Sequence, residues 1–110
     1  MEIPQLVKTI NLSRNKKILV IGDIILDKYI YGSVLRVSSG VKIPIVDEEK
    51  CVFSLGGAAN IAANLAQFSE HIFLCGWIGN DWRGDLLSAL ISENKIAFVG
   101  ERNANDSILK

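Results

Sequence analysis

Three short apolar runs, each ended by a glycine, constrain the fold more than any other feature of the sequence. Apolar runs of this length are typical of strands buried on both faces in a parallel sheet. Segments with helical spacing separate the runs, so the order strand, helix, strand, helix, strand predicts right-handed βαβ units and an α/β fold. The predicted strands are Ile18–Ile21 before Gly22, His71–Cys75 before Gly76, and Ile96–Val99 before Gly100.

The spacing of apolar residues also predicts three helices. The first covers residues 3–13, where Pro4 fits the first turn. The second follows a pair of glycines, and the third begins at Trp82 with Asp81 as its N-cap. The residues predicted to face inward are Ala58, Ile61, Ala62, Leu65 and Phe68 in the second helix, and Leu86, Leu87, Leu90 and Ile91 in the third.

Residues 29–55 have a different pattern, in which apolar and polar residues alternate. Alternation occurs around Val41–Ile45 and again in Cys51–Leu55. It indicates strands with two unlike faces and predicts an antiparallel flap beside the main sheet. The polar segment from Glu101 to Lys110 predicts no clear element.

The composition excludes several classes of protein. Twelve basic residues balance twelve acidic ones, which gives no electrostatic reason to expect a nucleic acid or an anionic membrane as partner. The hydrophobic fraction of 49% is too high for a disordered chain. No uncharged stretch is long enough for a membrane span, and no signal peptide is visible. These features predict a cytoplasmic protein, and the apolar runs suggest that this chain is part of a larger domain.

Aspartates follow the first predicted strand in the segment Gly22–Asp27. Ligands of open α/β sheets bind at the carboxyl ends of the strands, and a carboxylate there can accept hydrogen bonds from neighbouring hydroxyls of a polyol. The alternative is that Asp23 or Asp27 only closes a turn or caps the next element.

A second candidate site is the segment Gly56–Asn60. Paired glycines before a helix allow a ligand to approach the backbone, and the helix N-terminus offers free N–H groups. Asn60 can donate and accept hydrogen bonds, and Asn64 lies one turn further on. A tight turn chosen for close packing explains the same residues equally well.

A third candidate, Gly76–Asp81, is explained by a turn and a helix cap. Trp77 and Trp82 are interpreted as packing groups, and His71 as a residue at the solvent edge of a strand. Cys51 and Cys75 are interpreted as buried thiols. The sequence contains no metal-ligand cluster, no dinucleotide-binding glycine motif and no Walker A loop.

Together these segments resemble the ribokinase-like (PfkB-type) carbohydrate kinases. The run GGAANIAANLAQFSEHIFLCGWIG, from Gly56 to Gly79, matches the N-terminal signature of that family. Within the family, GDIILDKYIYG followed by Arg36, Ser38 and Pro44 most resembles the heptose-7-phosphate kinases. In many bacteria that kinase is the first half of a bifunctional protein that makes ADP-heptose for lipopolysaccharide. The resemblance implies a ribokinase-like three-layer sandwich with a β lid, incomplete in this chain.

The resemblance also implies roles for particular residues. Asp27 would bind sugar hydroxyls, and Gly56, Gly57 and Asn60 would close on the sugar. Residues 29–55 would supply the strands of a substrate lid, which in several relatives also forms a homodimer interface. Arg36 lies in that region, and from its chemistry rather than from the resemblance we expect its guanidinium group to hold the sugar phosphate through two parallel hydrogen bonds.

Two departures from the family pattern define what this chain is expected to do. Ser39–Lys42 stands where heptose kinases carry a Pro-Glu-Ala-Pro-like stretch. The second family signature, which supplies the catalytic base, the anion hole and part of the ATP site, is absent. We therefore expect residues 1–110 to be the sugar-binding N-terminal part of an ATP- and Mg²⁺-dependent sugar kinase. Alone it would bind neither cofactor tightly and would be inactive; the alternative is a catalytically inert sugar-binding or dimerisation module.

Overall fold

The computed structural model describes residues 2–37, 44–103 and 106–110, with side chains for 2–32, 50–103 and 106–110. The expectations for Ser38 and for Ser39–Lys42 lie outside these residues. The described elements are α1 (Ile3–Ser13), β1 (Lys17–Ile21), β2 (Ile24–Val37), β3 (Pro44–Gly57), α2 (Ala58–Leu65), β4 (His71–Cys75), β5 (Trp77–Gly79), α3 (Trp82–Glu93), β6 (Ala97–Phe98), β7 (Glu101–Asn103) and β8 (Ile108–Leu109).

The main sheet is parallel and has the order β1-β4-β6. Its strands are the three predicted from the glycine-ended apolar runs, although β6 is shorter than predicted. The prediction of a parallel sheet built from βαβ units is confirmed for these strands.

The glycines that end the three runs lie side by side at the carboxyl edge of this sheet. A Cβ at Gly76 would lie 2.7 Å from the carbonyl oxygen of Gly22, and a Cβ at Gly100 would overlap the carbonyl oxygen of Gly76. The amide of Gly22 donates to the carbonyl of Cys75, and that of Glu101 to the carbonyl of Gly76. Glycine is needed here because the backbones approach too closely for a side chain.

The second sheet has the order β3-β2-β8. β2 and β3 pair antiparallel along their length, with register shifts between Tyr31 and Gly32 and between Val34 and Arg36. The alternating segment Cys51–Leu55 therefore predicts the antiparallel pairing correctly, whereas residues 41–43 lie outside the described residues. The paired strands extend beyond residues 29–55 toward the main sheet, to Ile24 and Gly57. We call this two-stranded unit, residues 24–37 and 44–57, the ribbon. A third small sheet pairs β5 with β7 in parallel.

The core lies between one face of the main sheet and helices α2 and α3. Leu26, Ile72, Leu74 and Leu87 are each at most 2% exposed. The opposite face of β1 is open, with Leu19 55% and Ile21 72% exposed. The prediction that this strand is buried on both faces is thus wrong for the described chain, because α2 and α3 cover only one face.

Burial on the helices differs in part from the predicted stripes. In α2 the buried residues are Ala58, Ala59 and Ala62, while Ile61 is exposed. Phe68, predicted to belong to this helix, lies beyond its end and is also exposed. Small residues face the sheet because the helix packs close to it. α3 buries Leu87 and Ile91 as predicted, and α1 buries none of its residues.

The polar segment after residue 100 forms two short strands that the sequence does not predict. β7 pairs with β5, and β8 adds to β2, both in parallel. Their pattern is too short for periodicity to detect, and their pairing depends on contacts that are distant in sequence.

Candidate functional site

The turn from β1 into the ribbon lies beside the turn from the ribbon into α2. The carboxylate of Asp27, on β2, packs directly on Gly56 of the paired strand: a Cβ at Gly56 would lie 2.6 Å from the Asp27 carboxyl carbon. Asp27 is half-buried and Gly56 is buried. The fold therefore brings together two of the predicted site residues, and only glycine leaves the carboxylate this position.

Gly57 turns the chain from the strand into α2. Its φ of 60° lies in the left-handed region, and a Cβ there would lie 2.5 Å from the carbonyl oxygen of Asp23. That carbonyl accepts a 2.8 Å hydrogen bond from the amide of Ala58, the first residue of α2. Asp23 therefore closes a turn, as the alternative interpretation of this segment predicted, but it does so through its backbone carbonyl. The Asp27 carboxylate instead packs against Gly56. No side chain caps α2.

Asn60 lines an open cavity of about 250 Å³ between the edge of the ribbon, α2 and α3. Asp27 does not line it, but Ser54 does, and Ser54 is the register partner of Asp27 on β3. Ser54 is therefore close to both predicted site residues: it pairs with Asp27 across the ribbon and lines the same cavity as Asn60. Sequence reasoning did not select it, although it falls in the alternating segment. The complete lining is Phe53, Ser54, Leu55, Asn60, Ala63, Leu90 and Asn94.

Arg36 is remote from this site along the strand. Its backbone pairs with Ile45 near the far end of the ribbon, and its side chain lies outside the described residues. It follows Asp27 by nine positions on β2, which corresponds to about 30 Å of strand at about 3.3 Å per residue. The fold does not place Arg36 beside Asp27.

The third candidate segment is a structural junction. The Asp81 carboxylate accepts hydrogen bonds from the amide of Gly84 at 2.7 Å and from the Ser107 amide and hydroxyl at 3.1 and 2.9 Å. The Ser107 hydroxyl in turn accepts from the amide of Gly79 at 2.7 Å. The predicted helix cap is therefore present, and it also anchors the segment that leads to β8.

The same contacts determine the ionisation of Asp81. Partial burial raises the pKa of its carboxyl group, but hydrogen bonds from Gly84 and Ser107, with the nearby charge of Arg83, outweigh burial. The net pKa lies below the ordinary value of 3.8. All the groups around Asp81 are internal partners, so the carboxylate serves the fold.

The other aromatic, histidine and cysteine residues considered in the sequence analysis lie outside the candidate site. Trp82 packs edge-on against Phe53 with ring centroids 5.7 Å apart, and Arg83 lies over its ring. His71 is exposed as predicted, whereas Cys51 and Cys75 are half-buried free thiols.

Within residues 2–37, 44–103 and 106–110, no three His, Cys, Asp or Glu side chains are grouped as a metal site. No helix in the described part of the chain is long and apolar enough to cross a membrane.

Comparison with known proteins adds sequence and fold relatives. No protein-family model matches the sequence. The chain is 38% identical over 81 residues to the Bifunctional protein HldE of Magnetococcus marinus, a match that covers 74% of this chain and 17% of that protein. It is 44% identical over 80 residues to the protein of the same name from Helicobacter pylori strain G27, covering 72% of this chain and 17% of the relative. The chain thus spans about one sixth of the length of these relatives.

The fold matches a solved sugar kinase over most of this chain. Fructokinase with bound ATP from Xylella fastidiosa superimposes with a TM-score of 0.64 and 22% identity, over 86% of this chain and 28% of that one. The chain therefore has the fold of the ribokinase-like carbohydrate kinases. The resemblance carried by Gly56–Gly79 is therefore confirmed, as is the α/β fold of that family.

Proposed function

We propose that this chain is the sugar-binding N-terminal part of an ATP-dependent sugar kinase, a heptose 7-phosphate kinase of ADP-heptose and lipopolysaccharide biosynthesis. The relatives named Bifunctional protein HldE support the substrate class. The observation that carries the proposal is the Asp27 carboxylate packed on Gly56 at the ribbon base. The proposal includes a location in the cytoplasm.

The chemistry of the proposed site follows from its groups. The ionised Asp27 carboxylate accepts hydrogen bonds from two neighbouring sugar hydroxyls. Gly56 leaves room for the Asp27 carboxylate, and Gly57 turns the chain into α2, where Asn60 can both donate and accept hydrogen bonds. Held in this way, the sugar presents one hydroxyl for phosphorylation, and such positioning is a large part of catalysis of phosphoryl transfer.

We further propose that residues 29–55 of the ribbon act as the substrate lid. We also propose that Arg36 contributes to holding the sugar phosphate when the ribbon closes toward Asp27 across the intervening strand. Tyr29, Ile30 and Tyr31 are each about half exposed, which supports the proposal that two copies of the chain pair through these strands.

ATP and Mg²⁺ are the cofactors proposed for the whole enzyme, and the fructokinase relative was solved with ATP. The residues of this chain do not fit either group: the sequence has no phosphate-binding glycine loop, and the described part contains no acidic metal cluster. We derive no step through them. The inert-module alternative is not favoured, since the named relatives include a sugar kinase.

Titration calorimetry of the 110-residue chain with heptose 7-phosphate tests the proposal. Asp27→Asn removes the charge at the proposed site, and Asp23→Asn is the matched control on the adjacent turn. We expect the Asp27 variant to bind at least about tenfold more weakly, since hydrogen bonds to charged groups contribute about 1.5–3 kcal/mol. Equal affinity in both variants, or no binding by the unmodified chain, would contradict the proposal.

A further inference from the structure

Lys110 lies directly opposite Asp27 on the neighbouring strand. The register of β8 on β2 pairs Ile25 with Ile108 and Leu26 with Leu109. The ladder continues: the amide of Lys110 donates to the carbonyl of Leu26 at 2.9 Å, and the amide of Lys28 donates to the carbonyl of Lys110. In a parallel ladder, bonds to the two residues that flank Asp27 define Asp27 as the partner of Lys110.

Asp27 has a second partner on its other side. β3 pairs Ser54 with Asp27, and paired residues on adjacent strands project from the same face of a sheet. Strands lie about 4.8 Å apart, so a hydroxyl, a carboxylate and an ammonium group cross the sheet in one line about 10 Å long. We call Ser54, Asp27 and Lys110 the polar row.

The polar row is accessible and has unused hydrogen-bonding capacity. Ser54 and Asp27 are half-buried, Lys110 is exposed, and Gly56 adds no side chain beside the carboxylate. The ion pairs in the described part of the chain are Arg83 with Asp81 and Arg102 with Asp85, so neither Asp27 nor Lys110 is committed to one. Arg36, in contrast, is about 30 Å from Asp27 along the strand.

We propose that the polar row is a subsite for a polyol that carries an anionic group, with Lys110 as the residue that binds the anion. Ser54 and Asp27 bind hydroxyls at one end of the row, and the Lys110 ammonium group binds the phosphate at the other. The inference rests on the proposed function, to which it adds the residue that selects a phosphorylated sugar over a neutral one.

Titrations of the 110-residue chain with heptose 7-phosphate, heptose and inorganic phosphate test this assignment. The variant is Lys110→Gln, and Lys28→Gln is the matched control, because it removes the same charge from the adjacent strand on the opposite face. We expect Lys110→Gln to weaken binding of heptose 7-phosphate about tenfold or more, and to leave the affinity for heptose unchanged. Lys110→Arg, which keeps the charge, should restore most of the affinity.

The outcomes separate this inference from the proposed function. If heptose 7-phosphate binds the unmodified chain and Lys110→Gln equally well, the role of Lys110 is wrong and the sugar site stands. If no sugar binds, but inorganic phosphate shifts the amide resonance of Lys110 in the unmodified chain and not in the Gln variant, the anion subsite stands and the proposed function fails. If neither sugars nor phosphate bind, both are wrong.

Discussion

The carboxylate of Asp27 occupies the space that a side chain at Gly56 would fill: a Cβ there would lie 2.6 Å from the carboxyl carbon. A single methyl group added at Gly56 would therefore displace the carboxylate that we propose binds the sugar.

Gly56→Ala should therefore destabilise the chain by about 1–3 kcal/mol, the usual cost of overpacking. In an Asp27→Ala background the same change should cost clearly less, because the overlapping group is gone. Urea unfolding of the four proteins in this double-mutant cycle measures the difference. An identical cost in both backgrounds would show that the strain lies elsewhere.

Asn60 and Asn64 provide a matched pair on α2, since both are exposed and only Asn60 lines the cavity beside Ser54. Replacing either with Ala raises helix propensity to the same extent. We expect Asn60→Ala to weaken sugar phosphate binding about two- to tenfold, the usual effect of losing a neutral hydrogen bond. Asn64→Ala should have no effect on the titration, and an equal loss in both would exclude a specific role for Asn60.

The depressed pKa of Asp81 predicts how stability depends on pH. A carboxyl group with a lower pKa in the folded than in the unfolded chain stabilises the fold above its unfolded value, and the contribution is lost as pH falls through the folded value. Asp81→Asn should therefore be less stable than the unmodified chain near neutral pH, and the difference should shrink as pH falls below 3.8, the ordinary value. Thermal unfolding across pH, with exposed Asp106→Asn as control, checks this; a difference independent of pH would contradict it.

The open face of β1 predicts self-association of the 110-residue chain in solution. Leu19 and Ile21 are more than half exposed on that face. Ile21→Lys should increase the monomer fraction in sedimentation, because it places a charge in the apolar patch. Lys17→Gln, which removes a charge from the same face, should have the opposite effect and lower the monomer fraction. A chain that is already monomeric without substitution would refute this prediction.

The 110-residue chain should not transfer phosphate from ATP. Its sequence has no phosphate-binding glycine loop, and transfer requires groups that stabilise the charge on the moving phosphoryl group. A coupled assay for ADP release, with heptose 7-phosphate as acceptor, measures this directly. Turnover above the blank without protein would mean that residues of this chain alone support the reaction.

Local patterns predicted what depends on local sequence. The runs before Gly22, Gly76 and Gly100 gave the parallel sheet, and Asp81 gave the start of α3. Patterns failed where long-range contacts decide. Ile61 fits a helical stripe but faces outward, because the alanines of α2 fit the close approach to the sheet.

The candidate site shows the same division. The glycine pair and Asp27 could be selected from their place after a predicted strand and before a predicted helix. Ser54 and Lys110 could not, because their position next to Asp27 depends on strand register across two different pairings. A two-residue strand such as Ile108–Leu109 has no periodicity to reveal it.

The shape of the ribbon gives it the properties of a lever. Each of its strands has 14 residues, and it is held at one end, where Asp27 packs on Gly56 and Gly57 turns into α2. With about 30 Å between Asp27 and Arg36, a rotation of about 10° at the base sweeps the backbone of Arg36 through about 5 Å. Rotation of a few backbone bonds beside Gly57 therefore produces a much larger displacement at the far end of the ribbon. The position of Arg36 is thus set by the backbone conformation near Gly57.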